Sequence, residues 1–307
     1  MFVYTIRRII ILVPLLWAVA TITFFLMHAV PGGPFDAGDK ALAPAVRAAL
    51  NQKYHLDEPL ARQYVSFLSD LAHGDPGTSF QRSRPVADVL RDGLPTTLQL
   101  GVTAFVFALG AGVTLGMVSA VKQNTLVDYL AVLFATAGAA VPSFVVAILL
   151  VVVFSLELGW FDVIGWEFGN PQKMVLPAVS LGVFPAAFIA RITRAAMLET
   201  LRADYVRTAR AKGLKELRVV VGHAARNAMI PVLTVAGPIF AVLITGSFII
   251  ERAFAIAGIG GAYVEAVFAR DYGVIMGTTL LFAAAIAVVN LLVDLAYAVA
   301  DPRVRYS

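Results

Sequence analysis

Six long apolar stretches constrain this chain more than anything else in it. Residues 9–30, 97–121, 129–156, 229–250 and 274–299 each approach or exceed the about 20 residues that an α-helix needs to cross the hydrocarbon of a bilayer, and a weaker stretch covers 175–192. Of the 307 residues 59% are hydrophobic and 14% charged, and the mean hydropathy is +0.81. That is more apolar surface than the core of a water-soluble domain needs, so lipid is the solvent for much of it. The expected fold class is therefore an all-α polytopic membrane protein with about six transmembrane helices. Arg7 and Arg8 precede the first stretch, which outruns the about 7 to 15 apolar residues of a secretory signal, so a retained helix is expected. The weak stretch holds Pro177 and Pro185, which a bundled helix tolerates where neighbours or Ser180 satisfy the freed carbonyls. Gly112 and Gly116 in the second stretch, and Gly237, Gly246 and Ser247 in the fifth, predict close helix packing.

Charge then gives the orientation. A net charge of +4 and a pI near 9.4 could point to nucleic acid, but the basic residues cluster between apolar stretches, where membrane topology would put them. No nucleic-acid partner is expected. Six spans place both termini on one side. If that side is the cytoplasm, it holds Arg7, Arg8, Lys122, the nine Lys and Arg from Arg191 to Arg226, Arg303 and Arg305, against Lys173, Arg252 and Arg270 in the short loops opposite. Both termini are thus expected to be cytoplasmic. Residues 31–93 form an extracytoplasmic loop with short amphipathic helices at 41–50 and 59–72, suited to packing on the bundle or to receiving another protein. The domain plan is a first transmembrane helix at 1–30, that loop at 31–93, a transmembrane core at 94–300 with a cytoplasmic loop at 197–228, and a cytoplasmic tail at 301–307.

Several chemistries are excluded. The chain has no cysteine, hence no disulfide framework and no thiolate site. His28, His55, His73 and His223 are scattered without ligand spacing, so no metal site is expected. No Gly-Lys dipeptide occurs, hence no P-loop to cradle ATP phosphates, and GxSxG, HExxH and an aspartyl pair are missing from the spans. A secondary transporter would carry carboxylates or histidines deep in its spans, and these are nearly bare of them. Asn290 and Asp294 lie one turn apart near the end of the last span, where Asp294 is expected to pair with Arg191 or Arg194.

The stretch 199–227, ETLRADYVRTARAKGLKELRVVVGHAARN, departs from a mere connector. Connections between packed helices usually take about 2 to 8 residues. In its first half Tyr205, Ala209 and Lys212 recur at i, i+4 and i+7, with Val206 beside them and Arg202, Arg207 and Arg210 around the turn, until Gly213 ends the helix. Beyond it Leu217, Val220, Val221 and Ala224 form a second apolar stripe interleaved with Arg218, His223 and Arg226, and Asn227 and Pro231 lead into the fifth span. An amphipathic helix this short is marginal in water and must dock on something. Anionic lipid headgroups and a groove on a partner protein both fit.

This stretch resembles the cytoplasmic loop of bacterial ABC importer permeases, whose pattern is Glu-Ala-Ala, three residues, then Gly. Here Arg207, Thr208, Ala209 and Gly213 occupy those positions, without the acidic member. DYVRTARAKG at 204–213 followed by HAARNAMIP at 223–231 is similar to the version in oligopeptide and dipeptide importers. FFLMHAVPGGPFD at 24–36, YHLDEPLARQYVSFLSDLAHGDPGTSF at 54–80, LPTTLQL at 94–100 and DLAYAVADPRVRY at 294–306 resemble, in the same order, further segments of the B-type permease of that family, although Gly33 stands where an acidic residue is common. Nickel, glutathione and some oligosaccharide importers use closely similar permeases.

The resemblance implies a type I ABC importer permease in a bacterial or archaeal plasma membrane, not itself an enzyme and holding no cofactor. Implied partners are two cytoplasmic ATPase subunits that bind ATP and Mg, a second related permease subunit and an extracytoplasmic solute-binding protein. It also implies that Asp204, Tyr205, Arg207, Thr208, Ala209, Arg210, Ala211, Lys212 and Gly213 couple the chain to an ATPase. In that role Ala209 and Ala211 approach the groove closely, Arg207, Arg210 and Lys212 orient it, and Gly213 sets the angle to the next helix. His223, Arg226 and Asn227 are expected to support the loop by hydrogen bonding back onto it.

Overall fold

The computed structural model describes residues 2–35 and 43–300. The expected tail at 301–307 with Arg303 and Arg305, the end of the 294–306 motif and the start of the helix expected at 41–50 lie outside the described residues. Within them the chain is helix and turn, with one isolated bridge between Thr78 and Pro85. The helices are α1 (Phe2–Ala29), α2 (Pro44–Lys53), α3 (Leu60–Ala72), α4 (Val86–Val121), α5 (Leu126–Ala140), α6 (Ser143–Glu157), α7 (Pro171–Leu201), α8 (Asp204–Ala211), α9 (Glu216–Ile244), α10 (Phe248–Ala253), α11 (Ile259–Ala269) and α12 (Tyr272–Ala300). Among the described residues α1, α4, α7, α9 and α12 are each long and apolar enough to span a bilayer, and the bent pair α5–α6 makes a sixth span if counted as one.

The helices form two compact units, one of residues 1–97 and 257–307 and the other Leu98–Ile256. In the first, Phe24, Met27, Val86, Val89, Ala266, Val274, Ile275 and Met276 make the core. This explains why α4 starts at Val86 and not at 97. Val86 and Val89 are buried, so the helix continues into what composition alone reads as hydrophilic loop. Asp271, buried at the head of α12, accepts hydrogen bonds from Ser79 Oγ, Phe80 N (3.1 Å) and Gln81 N (3.4 Å), fixing the turn that precedes α4. Asp294, expected to pair with Arg191 or Arg194, pairs with Arg8 of α1, because the last span packs along the first.

In the second unit α7 is the hub. Half of its most apolar stretch is buried, against 11% for that of α1 in the first unit. Gly112 and Gly116 of α4 allow this contact, since a methyl group there would stand 2.7 Å from the Ala186 carbonyl oxygen and 2.5 Å from that of Ala190. The weak span is thus one of the longest helices, started by Asn170, whose side chain accepts from Gln172 N (3.1 Å), with Pro171 at its first turn. Ser180 Oγ donates to the Leu176 carbonyl (2.7 Å). A proline frees the carbonyl four residues before it, so of the two expected donors, neighbours or Ser180, Ser180 serves neither Pro177 nor Pro185.

Two further boundaries differ. The span expected at 129–156 is broken between α5 and α6 with a 111° bend. Pro142 supplies no N–H and drives the preceding Val141 into extended backbone (φ −86°, ψ 125°). The fifth span ends at Ile244 and not at 250. Gly246 turns the chain with φ 75°, and Ser247 then caps α10 by accepting from Ile250 N. These two residues make a corner, not the helix contact expected of them.

An ion pair between a buried carboxylate and a partly exposed arginine ties three helices of this unit. Asp128, in the first turn of α5, accepts from Arg194 Nε (2.8 Å) and Nη2 (2.8 Å) of α7, from Ser119 Oγ of α4 and from Asn124 N (3.0 Å). Arg194 Nε also reaches Ser119 Oγ (2.9 Å).

Candidate functional site

The stretch that stood out in the sequence folds as the end of α7, a two-residue link, α8, a turn at Gly213, and α9. Local chemistry sets α8's limits. Asp204 lies in its first turn and Arg210 in its last, each at the helix end that its charge favours. Gly213 lies in the left-handed region (φ 76°). Its N–H bonds the Arg210 carbonyl (2.9 Å) while Leu214 N–H reaches back to the Ala209 carbonyl (3.4 Å), the paired bonds of a Schellman stop. Leu214 then packs on the cluster that contains Ala209, which is the apolar contact that accompanies this stop.

α8 docks on its own chain. Val206 and Ala209, three residues apart and so on one face, are buried with Ala120 of α4, Ala196 and Met197 of α7, and Val219, Val220, Ala224, Ala225 and Ala228 of α9. The buried face is therefore not the stripe Tyr205, Ala209, Lys212 read from the sequence. Tyr205 is 42% exposed, and its hydroxyl accepts from Asn227 Nδ2 (2.8 Å) at the edge of the seat, since a phenol needs a polar partner that the core does not supply. Ala209 faces inward, so of the two alanines expected to approach a partner only Ala211 is exposed.

The outward face carries Asp204, Arg207, Thr208, Arg210, Ala211 and Lys212, all exposed. Arg207 makes a loose pair with Asp204 (3.4 Å). Arg210 grips Glu216 across the turn with two bonds of 2.7 and 3.1 Å, and the carboxylate raises the guanidinium's pKa. This clip spans Gly213 and holds α8 at a set angle to α9. The side chains of His223 and Arg226 are exposed and, among the described residues, make no hydrogen bond back to the loop; Asn227 does.

The second stripe is also rotated. Val220 and Ala224 are buried together with Val219, whereas Leu217 is 77% and Val221 55% exposed. Residues Val219–Ala224 wind as a π turn, and its extra residue per turn shifts every side chain that a 3.6-residue repeat would align. Leu217 and Val221 line an apolar cleft with Met117, Val118 and Val121. Neither the π turn nor the pairing of Asp128 with Arg194 was read from the sequence. The signal for the latter was a carboxylate heading an apolar run.

The site presents a braced, cationic helix whose back is fixed to three transmembrane helices. The family model described as binding-protein-dependent transport system inner membrane component matches residues 112–306. Its N-terminal counterpart matches residues 1–101. The chain is 43% identical over 304 residues to the oligopeptide transport system permease protein OppB of Salmonella typhimurium, covering 99% of both chains. It is 42% identical to the dipeptide transport system permease protein DppB of Bacillus subtilis, covering 98% of this chain and 97% of that one. Among solved structures the MetNI methionine ABC transporter, in inward-facing conformations, is similar in fold, with a TM-score of 0.57 at 18% identity over 69% of this chain and 96% of that one. An amino acid ABC transporter gives a TM-score of 0.53 at 17% identity over 68% and 93%.

Proposed function

The chain belongs to the family of binding-protein-dependent transport system inner membrane components, and on that premise we propose that it is the permease subunit of an ATP-driven importer of oligopeptides or dipeptides. The observation that carries the cargo is identity above 40% with permeases named for those solutes along nearly the whole chain, the loop at 31–93 included.

In this reading the outward face of α8 seats in a cleft of a cytoplasmic ATPase subunit, with Arg207, Arg210 and Lys212 meeting its carboxylates. Val206 and Ala209 fasten the helix to its own bundle, so displacement of α8 by closure of the nucleotide sandwich pulls on α4, α7 and α9 together. Gly213 and the Arg210–Glu216 clip keep α8 and α9 moving as one lever. ATP and Mg belong to the two ATPase subunits, and this chain performs no catalytic step. Six spans make a thin wall for a peptide-sized passage, so a second, related permease completes it, and a solute-binding protein delivers cargo from outside. The Lys and Arg distribution supports cytoplasmic termini, in the plasma membrane of a bacterium or archaeon.

The test is reconstitution of the chain with its partners in proteoliposomes and uptake of labelled dipeptides and longer peptides. ATP-dependent accumulation of peptide is expected. Accumulation driven by an ion gradient alone, or ATP-dependent uptake of nickel or glutathione to the exclusion of peptides, would overturn the reading.

A further inference from the structure

The geometry points to a second element of the coupling machinery: Asp128, Arg194 and Ser119 act as positioning residues that clamp α5 to α7, so that the broken span follows the movement of α8. This rests on the reading of the chain as an ATP-coupled permease.

Three observations lead here. First, the cluster adjoins the seat of α8. Ser119 precedes Ala120 in sequence, and Arg194 lies half a turn before Ala196 and Met197; Ala120, Ala196 and Met197 all touch the cluster that buries Val206 and Ala209. α7 then reaches α8 through Arg202 and Ala203 alone, so movement of α8 acts on α7 directly.

Second, α5 does not run on into α6 as one helix. The two are separated by extended backbone at Val141 and a 111° bend, so no continuous helix carries movement of α6 into α5. Along its length α5 meets α7 through small side chains, Ala135 on Ala187 and Ala190, and Gly138, where an added methyl would stand 3.3 Å from Ala187 Cβ. Such contacts permit close approach through packing that is not directional. Only at the Asp128 end, among the described residues, is there a directional tether between the two helices. It is bidentate, with both carboxylate oxygens engaged by the guanidinium and the remaining lone pairs taken by Ser119 and Asn124.

Third, stability alone is a poor account of the pair. An ion pair with one partner buried and the other partly exposed gains little net stability, while the planar fork of arginine specifies one relative placement of the partners. Apolar packing would have fastened the three helices as tightly without fixing their register. Broken transmembrane helices are the ones that transporters use to line and gate a pathway, so holding α5 in register with the driven helix has a purpose.

The test uses the complete complex in proteoliposomes, and reads both co-purification of the ATPase subunits and ATP hydrolysed per peptide imported. The decisive variant is Asp128→Asn with Arg194→Gln, which removes both charges and strands neither. It should retain the ATPases, because Val206 and Ala209 still seat α8, and should hydrolyse ATP while the ATP spent per peptide rises at least tenfold. If it fails to assemble, Arg194→Lys decides: it keeps the charge but loses the fork, and a rise of threefold or more is expected. Wild-type stoichiometry in whichever of the two assembles would reduce the cluster to a structural support and overturn the clamp. Absence of ATP-driven uptake by the wild-type complex would instead overturn the permease reading beneath it.

Discussion

Replacing Gly213 with valine should uncouple ATP hydrolysis from transport. Space is not the obstacle, since an added Cβ at Gly213 meets nothing within 4 Å. The cost is in the backbone. At φ 76° an L-residue loses about 1–2 kcal/mol, and a β-branched one is a genuine outlier there, so about 1–3 kcal/mol is set against the native turn. A chain that escapes this strain by leaving the left-handed region must break the Leu214 to Ala209 and Gly213 to Arg210 backbone bonds and displace Glu216 from Arg210. An energy of about 1–3 kcal/mol shifts the equilibrium between a held and a released α8 by about 5- to 150-fold. The assay is ATP hydrolysed per peptide imported in proteoliposomes, with ATPase co-purification as the control for assembly. Gly213→Asn, which tolerates the left-handed region, should stay within about twofold of wild type while Gly213→Val departs from it by fivefold or more. Equal stoichiometry in wild type and Gly213→Val would refute the idea that this turn transmits force.

Other perturbations probe the supports. Val206→Asp places a carboxylate in the seat of α8 and should abolish ATPase co-purification, because an isolated buried charge costs several kcal/mol; the companion Arg207→Ala should weaken co-purification while leaving the chain's thermal stability within about 1 kcal/mol. Asp271→Ala strips the acceptor from Ser79, Phe80 and Gln81. The buried Ser79 hydroxyl left unpaired costs about 1–3 kcal/mol and the Phe80 and Gln81 N–H groups lose their acceptor, so proteolysis at residues 79–85 should accelerate markedly. Gly116→Ala forces a methyl to 2.5 Å from the Ala190 carbonyl oxygen and Thr193 Cβ, an overpacking of about 1–3 kcal/mol that should lower the melting temperature measured in detergent.

What could be read before folding was what depends on composition and length. The spans, the short helices near 41–50 and 59–72 and the helix, glycine, helix form of 204–228 all follow from apolar runs and turn residues that act locally. What could not be read depends on neighbours. Val206 buries in place of Tyr205 because a small, polar-free side chain fits against Met197 and against Ala120, which is far away in the chain. The π turn at Val219–Ala224 hides the true face of α9 from any reading by a fixed repeat. Asp294 was expected to meet Arg191 or Arg194, but Arg194 meets Asp128 and Asp294 meets Arg8. Pro142 was the one local signal passed over, since a proline inside a long apolar run predicts a break as readily as a tolerated kink.

The absence of cysteine permits the most direct measurement. Single cysteines introduced as Arg207→Cys and Lys212→Cys on the outward face of α8, and as Val206→Cys on the inward face, can be crosslinked in the assembled complex with a short thiol-to-amine reagent. Covalent products between this chain and an ATPase subunit are expected from the first two and not from Val206→Cys. Products from none of the three in a complex that imports peptide, or import by the purified chain with no ATPase present, would contradict the central claim.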